Sequence, residues 1–239
     1  SVFPNALQTA IFDTAFHATM DKVSYMYPVP YEWYTENKVR KYGAHGTSHA
    51  YVANVYGETI NKPLEGTKII TCHIGNGASI TAVKDGKCLD TTMGLTPLDG
   101  FPMGTRSGHM DPTVISYIAE QRGLKLDEII NILNKKSGLL GVSGISSDAR
   151  DIVNGCKEGN ELALLARKMH VNTVANFVGQ YFVELGGCDA MVFTAGLGEN
   201  HGLLRERVCA YLGYLGVELD AEKNAVKGEE EVVSTENSK

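Results

Sequence analysis

Short runs of β-branched and apolar residues predict a sheet in the first half of the chain. They lie at about residues 68–72, 79–83 and 87–92. Asp85-Gly86, between the second and third runs, is a strong signal for a two-residue hairpin turn. We therefore expect three consecutive strands that pair as an antiparallel meander.

A helical period replaces this pattern in the second half. Apolar residues recur at positions 162, 165, 169, 174, 178, 182 and 185, which predicts a long helix over residues 160–185. Gly186-Gly187 ends it, and a strand is predicted at 189–194. Shorter helices are predicted at residues 47–56, 112–121, 126–134 and 203–212. A meander followed by alternating helix and strand predicts an α/β fold, with a mixed sheet and helices on both faces.

Smaller segments complete the prediction. Residues 8–12 are expected to form a short buried strand. Residues 25–34 contain two prolines and four tyrosines, which predicts an ordered loop rather than a helix. Thr47 or Ser48 is expected to cap the helix over residues 47–56. The chain begins without methionine and stops in a strand-like segment, from which we expect a piece of a longer protein.

Composition narrows the class of function. A chain of 239 residues that is 43% hydrophobic can bury a sizeable core. A net charge of −6 and a pI near 5.7, without a basic stripe, argue against a nucleic-acid partner. Five cysteines without a Cys-x-x-Cys pair favour reduced thiols in a cytoplasmic protein. No apolar run reaches the roughly 18 residues that a membrane span needs, so no membrane partner is expected.

Two glycine turns follow predicted strands. The first is His73-Ile74-Gly75-Asn76-Gly77, and the second is Gly196-Leu197-Gly198-Glu199-Asn200, which also opens a helix. Glycines that take positive φ allow the backbone to approach a ligand, so that several N–H groups point at one anion. A single turn of this kind is commonly a plain hairpin. Two of them at strand ends predict a nucleotide that is bound by backbone N–H groups.

Charged and imidazole side chains add candidate chemistry. His45 lies at a glycine-flanked helix entrance, where it can donate to an anion. His45 and His49 are four residues apart, but without a third ligand they make a poor zinc site, and we expect His49 to be structural. Arg106 lies in a glycine-bounded loop with apolar flanks, which favours a guanidinium directed at a carboxylate or phosphate.

Two acidic segments leave alternatives open. Asp13 follows the strand predicted at 8–12 and either holds a magnesium ion or caps its turn. Residues 146–151 have the serines and aspartates of a helix N-terminus, and capping accounts for them as well as binding does. Together with the glycine turns, His45 and Arg106, this inventory suits phosphoryl transfer, in which the protein positions groups and neutralises charge.

Six motifs, in this order along the whole chain, resemble the acetate kinase family. They are Phe12-Asp13-Thr14-Ala15-Phe16-His17, Tyr42-Gly43-Ala44-His45-Gly46-Thr47-Ser48-His49, His73-Ile74-Gly75-Asn76-Gly77, Met103-Gly104-Thr105-Arg106-Ser107-Gly108, Ser146-Ser147-Asp148-Ala149-Arg150 and Gly196-Leu197-Gly198-Glu199-Asn200. The resemblance implies the ribonuclease-H-like, duplicated fold of actin, sugar kinases and heat-shock chaperone ATPases, with a five-stranded type of sheet. It also implies reversible phosphoryl transfer from ATP to acetate, giving acetyl phosphate, a precursor of acetyl-CoA, and ADP.

The resemblance assigns roles by position. Asp13, His45 and Arg106 would be catalytic, with Asp13 near the magnesium, for which Mn²⁺ can substitute. Ala44 and Pro97 would lie at the acetate pocket. The nucleotide-binding residues would be His73, Gly75, Asn76, Gly77, Asp148, Ala149, Arg150, Gly196, Leu197, Gly198, Glu199 and Asn200.

The resemblance also predicts what lies outside the chain. Residues 1–16 would be a remnant of an N-terminal domain, and residues 17–239 a nucleotide-binding domain truncated before its closing segment. A phosphate-binding turn, a second catalytic arginine and a late magnesium-binding glutamate would then be missing, so we expect the isolated chain to bind nucleotide but to be almost inactive. A homodimer is expected. A propionate or butyrate kinase, or a non-catalytic nucleotide-binding module, remains an alternative.

Overall fold

A computed structural model describes residues 3–239 and contains a mixed four-stranded sheet in the order β3-β2-β1-β4. Strands β1 (Lys68–Ile74), β2 (Ala78–Lys84) and β3 (Lys87–Thr91) form an antiparallel meander, and β4 (Ala190–Thr194) pairs with β1 in parallel. Asp85 and Gly86 both have positive φ, as the hairpin signal predicts. The predicted α/β class is confirmed, although the described sheet has four strands where a five-stranded type was expected.

Ten α-helices accompany the sheet in the described residues. They are α1 (Lys22–Tyr25), α2 (Tyr31–Asn37), α3 (Gly46–Thr59), α4 (Thr113–Arg122), α5 (Leu126–Lys135), α6 (Gly138–Ser143), α7 (Ala149–Lys157), α8 (Glu161–Leu185), α9 (Ala195–Asn200) and α10 (Gly202–Leu212). The predicted long helix is α8, capped by the Asn160 side chain and ended by Gly186 at φ 65°. Helix α6 was not predicted.

The period of two along β1 divides its side chains between two cores. Ile70, Cys72 and Ile74 face α8 and α10 within the main cluster, which contains Val174, Val178, Tyr181, Leu204, Val208 and Leu212. The opposite face holds Ile69, packed with Ala53 of α3 and Val83 of β2. Helices therefore cover both faces of the sheet, as expected for a strand that is buried on both sides.

Two local predictions in the first forty residues are wrong. Residues 8–12 form no strand, and Ile11 and Phe12 are 83% and 70% exposed. An isolated strand is not stable, and no strand of residues 3–239 pairs with this segment. Residues 25–34 are not a plain loop, because α2 begins immediately after Pro30, a position that suits proline's fixed φ.

The entrance of α3 also differs from the prediction. Neither Thr47 nor Ser48 is the N-cap; that position belongs to His45, whose backbone is left-handed at φ 59°. The turn that precedes it is tight, because an added Cβ on Gly43 would lie 2.7 Å from Thr91 Cγ2. This geometry brings the His45 ring toward the end of β1.

Gly138 fixes the loop that carries Arg106. It has φ +59°, and an added Cβ would lie 2.6 Å from the Arg106 carbonyl oxygen and still closer to that of Met103. We expect Gly138→Ala to lower the free energy of unfolding by about 2–4 kcal/mol, because the new methyl group meets backbone in a left-handed conformation. Gly179→Ala is the matched control. Its position in α8 is open, so alanine should stabilise by up to about 1 kcal/mol. Urea unfolding of both variants checks this, and equal stabilities would contradict it.

Candidate active site

The two glycine turns meet at the carboxyl ends of β1 and β4. His73 of β1 is paired with Thr194 of β4, so the turns that follow begin side by side. An added Cβ on Gly75 would lie 3.7 Å from Ala195 Cβ. The predicted convergence of the two turns is therefore present in the structure.

The reason for glycine in the first turn is different from the one predicted. Neither Gly75 nor Gly77 has a positive φ. A side chain at residue 77 would be tight, since an added Cβ would lie 3.2 Å from Arg106 Nη1 and 3.6 Å from His45 Nε2. The absence of a side chain at residue 77 lets a guanidinium and an imidazole reach the same point beside the backbone.

The second turn is the first turn of α9 rather than a loop before a helix. Ala195 has the positive φ here, at 66°. The Glu199 carboxylate accepts from Ala195 N at 2.8 Å and Thr194 Oγ1 at 2.9 Å, and Asn200 Nδ2 donates to Gly196 O at 3.1 Å. Glu199 and Asn200 thus hold the shape of the turn, while Gly196 is exposed and Gly198 is buried against β4.

Asp13 anchors the entrance of α3. Its Oδ2 accepts from His45 N at 2.7 Å and its carbonyl oxygen from Gly46 N at 2.8 Å, so Asp13 holds the backbone at the entrance of α3 and not the turn that it was predicted to cap. The carboxylate is exposed, which leaves it open to a cation as well.

A magnesium ion fits this donor set only with other ligands. In residues 3–239, no three His, Cys, Asp or Glu side chains converge to hold a metal. Mg²⁺ is commonly bound by one or two carboxylates with phosphate oxygens and water completing the octahedron, and Asp13 suits that mode. A zinc site on His45 and His49 does not fit, because both ring nitrogens of His49 bond to hydroxyl groups.

The Arg106 loop joins the first glycine turn to α7. Arg106 Nη1 donates to Pro97 O at 3.3 Å. Gly104 N donates to Asn76 O at 3.1 Å, and an added Cβ on Gly104 would lie 3.1 Å from Ser147 O. Gly104 therefore lies between the first glycine turn and the segment that enters α7.

Four histidines form a continuous cluster behind Gly77. His45 and His73 stack with ring centroids 4.1 Å apart, while His49 lies 6.5 Å from His45 and 5.8 Å from His17. His73 Nδ1 bonds to Ser48 Oγ at 2.8 Å, and His17 Nε2 to the Ala44 carbonyl at 2.9 Å. The sequence motifs included these histidines, but no spacing rule indicated that they would touch.

Burial keeps this cluster uncharged. It lowers the pKa of His45 to about 4, helped by His73 and opposed by Asp13. Burial also lowers the pKa of His73 and of His17, and places that of His49 well below its ordinary value. Since none of the four rings carries a positive charge at neutral pH, the cation beside Gly77 is the Arg106 guanidinium.

The predicted nucleotide-binding residues at 148–150 and 196–200 lie in and around α7 and α9. Asp148 caps α7 by accepting from Arg150 N at 2.8 Å, and its carboxylate pairs with the Arg150 guanidinium at 2.5 Å. Those hydrogen bonds lower the pKa of Asp148 to about 2. Ala149 and Leu197 line a cavity of about 30 Å³.

Two residues of this cavity were missed by sequence reasoning. Arg167 and His170 of α8 also line it, and Arg167 Nε and His170 Nε2 are buried without a partner in the described residues. His170 Nδ1 must donate to the Pro102 carbonyl, 2.8 Å away, so its Nε2 is an acceptor. Nothing in a long amphipathic helix distinguishes these two side chains from ordinary core and surface residues.

The predicted acetate-pocket residues lie in different surroundings. Ala44 is 7% exposed and belongs to the main apolar core. Pro97 is exposed, and its carbonyl oxygen contacts Arg106. The structure thus brings Pro97 to the guanidinium, whereas the Ala44 side chain faces the core.

Comparison with known proteins agrees with the motifs. A profile described as the Acetokinase family matches residues 1–239. The acetate kinase of Thermoanaerobacterium thermosaccharolyticum is 53% identical over 239 residues, covering 100% of this chain and 60% of that protein. The crystal structure of Porphyromonas gingivalis acetate kinase matches with a TM-score of 0.93 at 46% identity, covering 95% of this chain and 57% of that one. A propionate kinase from Francisella tularensis matches with a TM-score of 0.94 at 44% identity, covering 99% and 60%.

These matches confirm the resemblance and the predicted fold class. The chain spans about 60% of the length of the curated relatives it matches. Among the described residues, no helix is both long and apolar enough to cross a membrane.

The uncharged histidine cluster makes stability depend on pH. The unfolded chain takes up protons near pH 6.5, whereas the folded histidines resist protonation, so the unfolded state binds more protons below that pH. We expect the free energy of unfolding to fall as the pH drops from about 6.5 toward 4. Urea unfolding across this range measures it. His49→Gln should reduce the slope, and a midpoint that does not change with pH would contradict the expectation.

Proposed function

The chain belongs to the acetokinase family, and we propose that the complete protein is an acetate kinase that transfers a phosphoryl group reversibly between ATP and acetate. The observation that carries the proposal is the convergence of His45 and Arg106 on the side-chain-free backbone of Gly77. One neutral donor and one cation beside half-buried backbone without a side chain suit a migrating phosphoryl group, for which charge stabilisation and positioning supply the catalysis.

The nucleotide would lie across the two glycine turns. Its phosphates would contact the Gly75–Gly77 turn and the nearby His73, since these lie at the ends of parallel strands where ligands bind in open α/β sheets. The adenosine would lie toward α7 and α9. Its proposed contacts are Asp148, Ala149, Arg150, Gly196, Leu197, Gly198, Glu199 and Asn200.

His45 and Arg106 would stabilise the phosphoryl group during an in-line transfer. The acceptor acetate is already an anion at neutral pH, so the reaction needs no general base. That agrees with a His45 ring that stays neutral and serves as a hydrogen-bond donor. The Arg106 guanidinium contributes the positive charge, and its bond to the Pro97 carbonyl directs it.

Magnesium would be held by Asp13 through its exposed carboxylate, with Mn²⁺ able to replace it. When bound, the ion would neutralise charge on the phosphate oxygens. Asp13 itself already orients the entrance of α3, because it accepts from the backbone N–H of His45.

The acid substrate has a close alternative. A propionate kinase is among the structural neighbours at 44% identity, and one extra methylene changes discrimination by only about 1–3 kcal/mol in an apolar pocket. A butyrate kinase is a further possibility of the same kind. Acetate is favoured because the family profile matches the whole chain and the curated relatives described above carry that name. The order of kcat/KM among the three acids separates these alternatives.

Cellular context remains part of the proposal. We expect a cytoplasmic homodimer in which residues 1–16 belong with an N-terminal domain and residues 17–239 form the nucleotide-binding domain. All five cysteines are free thiols, which agrees with a reducing compartment.

Replacing Arg106 tests catalysis against simple nucleotide binding. In the complete protein, we expect Arg106→Ala to lower kcat by about 10²–10³-fold, because a charged donor to the transition state is lost. The Kd for ATP should change little. Arg122→Ala, at the exposed end of α4, is the control and should retain activity. Equal turnover in both variants would contradict a catalytic role for Arg106, and an absence of turnover in the wild-type protein would favour the non-catalytic module.

The isolated chain should bind nucleotide without efficient turnover. In the described residues, Asp13 offers an exposed carboxylate beside His45, the Glu199 carboxylate is engaged by Ala195 N, and the chain spans about 60% of its relatives. We therefore expect calorimetry of the 239-residue chain with Mg-ADP to show binding, while acetyl phosphate formation stays at least about 10³-fold below that of the complete protein. Turnover at the complete protein's rate would overturn this part of the proposal.

A further inference from the structure

A chain of hydrogen bonds runs from the sheet to the candidate active site. His49 Nδ1 bonds to Thr71 Oγ1 at 2.7 Å, and His49 Nε2 bonds to Ser79 Oγ at 2.7 Å. Ser79 Oγ also bonds to His45 Nδ1 at 2.8 Å. The opposite nitrogen of His45, Nε2, lies beside Gly77. Thr71, His49 and Ser79 are fully buried.

The period of two in the sheet produces this arrangement. Thr71 of β1 and Ser79 of β2 point to the face covered by α3, the same face as Ile69 and Val83. His49 lies one turn into α3 and reaches between the two hydroxyl groups. Three elements thus contribute one polar group each, and every short contact in the chain joins a hydroxyl group to an imidazole nitrogen.

Each group in this chain has one proton to donate, so the donor–acceptor directions of the successive hydrogen bonds depend on one another. Ser79 has one hydroxyl proton and lies between two imidazole nitrogens, so it donates to one and accepts from the other. A neutral imidazole has one N–H and one acceptor nitrogen. If the direction is set at Thr71, it is therefore set at His45 as well.

The distances at Thr71 favour one direction. Its hydroxyl can donate to His49 Nδ1 at 2.7 Å or to the Thr81 carbonyl oxygen at 3.4 Å. The second is at the limit of a useful hydrogen bond, whereas the first is short. If Thr71 donates to His49, then His49 Nε2–H donates to Ser79 and Ser79 donates to His45 Nδ1.

We propose that Thr71, His49 and Ser79 are positioning residues that hold His45 in its Nε2–H tautomer. The neutral ring then presents an N–H, rather than a lone pair, to the phosphoryl oxygens beside Gly77. The relay determines which nitrogen carries the proton and not whether the ring is charged. Its catalytic consequence rests on the proposed phosphoryl transfer, but the tautomer itself does not.

The surroundings of His45 explain why a neutral donor is useful there. Arg106 already supplies a guanidinium beside Gly77, and a second cation at this distance would be repelled by the first. The stacked His73 ring, held by Ser48, keeps the imidazole plane fixed. The relay then leaves Nε2–H as the atom that faces the site.

The test replaces the fully buried end of the relay, at Thr71. Thr71→Val removes the hydroxyl group with little change in shape, and Thr71→Ser retains it. Thr81→Val is the matched control, because it removes a buried hydroxyl from the facing strand that bonds to Thr91 and not to the relay. Ser79→Ala breaks the relay at a second point if Thr71→Val does not fold. The measurements are ¹⁵N NMR shifts of the histidine rings and kcat of the complete protein.

We expect His45 to be protonated at Nε2 in the wild-type protein and to populate both the Nε2–H and Nδ1–H tautomers in Thr71→Val, because the hydroxyl group that sets the direction is gone. The kcat of Thr71→Val should fall by about 2–10-fold with the KM for ATP unchanged, because a fraction of the rings then presents a lone pair in place of a donor to the transition state. Thr71→Ser and Thr81→Val should resemble the wild type. A wild-type His45 protonated at Nδ1, or a Thr71→Val variant with an unchanged tautomer or kcat, would overturn the proposal. The NMR result holds even if the complete protein shows no kinase activity, so the two proposals fail separately.

Discussion

The pairing of β1 on both of its edges is the constraint on which the rest of the structure depends. Its antiparallel neighbour β2 brings the first glycine turn back over the sheet, and its parallel neighbour β4 places Ala195 beside Gly75. Both faces of β1 are consequently covered by helices. A strand in this position cannot shift register, because a slip by one residue would move Ile70 and Cys72 to the face covered by α3 and Thr71 into the main apolar core.

The polar groups buried between α3 and the sheet require a closed network of hydrogen bonds. Burying hydroxyl and imidazole groups is unfavourable unless each finds a partner. Thr71, Ser79 and His49 satisfy one another, and the Thr81 and Thr91 hydroxyl groups bond at 2.8 Å. The same burial that demands these bonds also keeps the histidines neutral. Electrostatics at the candidate site is therefore a result of packing between α3 and the sheet, rather than of nearby carboxylates.

Local signals in the sequence predicted the elements whose determinants are local. The Asp85-Gly86 turn and the apolar period of α8 each depend on neighbouring residues, and both predictions are confirmed. The strand over residues 8–12 failed, because a strand depends on a partner that a local pattern does not contain. The first glycine turn was predicted from positive φ angles, which neither Gly75 nor Gly77 has. The approach of Arg106 to Gly77 is a tertiary contact, which a local pattern does not contain. The contact between Thr71 and His49 also joins two separate elements, so no local pattern indicated it.

The positive charge beside Gly77 comes from the Arg106 guanidinium, because the neighbouring His45 ring is neutral. Under the proposed function, a triphosphate would bring several negative charges, and the described residues would meet them there with one guanidinium and a neutral ring. Additional positive charge would then come from a bound cation, for which Asp13 offers a carboxylate at the entrance of α3. Such a site would be weakly charged without its ligand and would become complementary only with both cation and nucleotide bound. This arrangement would limit repulsion between cations in the free protein, and the neutral His45 would act as a fixed donor to the transferred group.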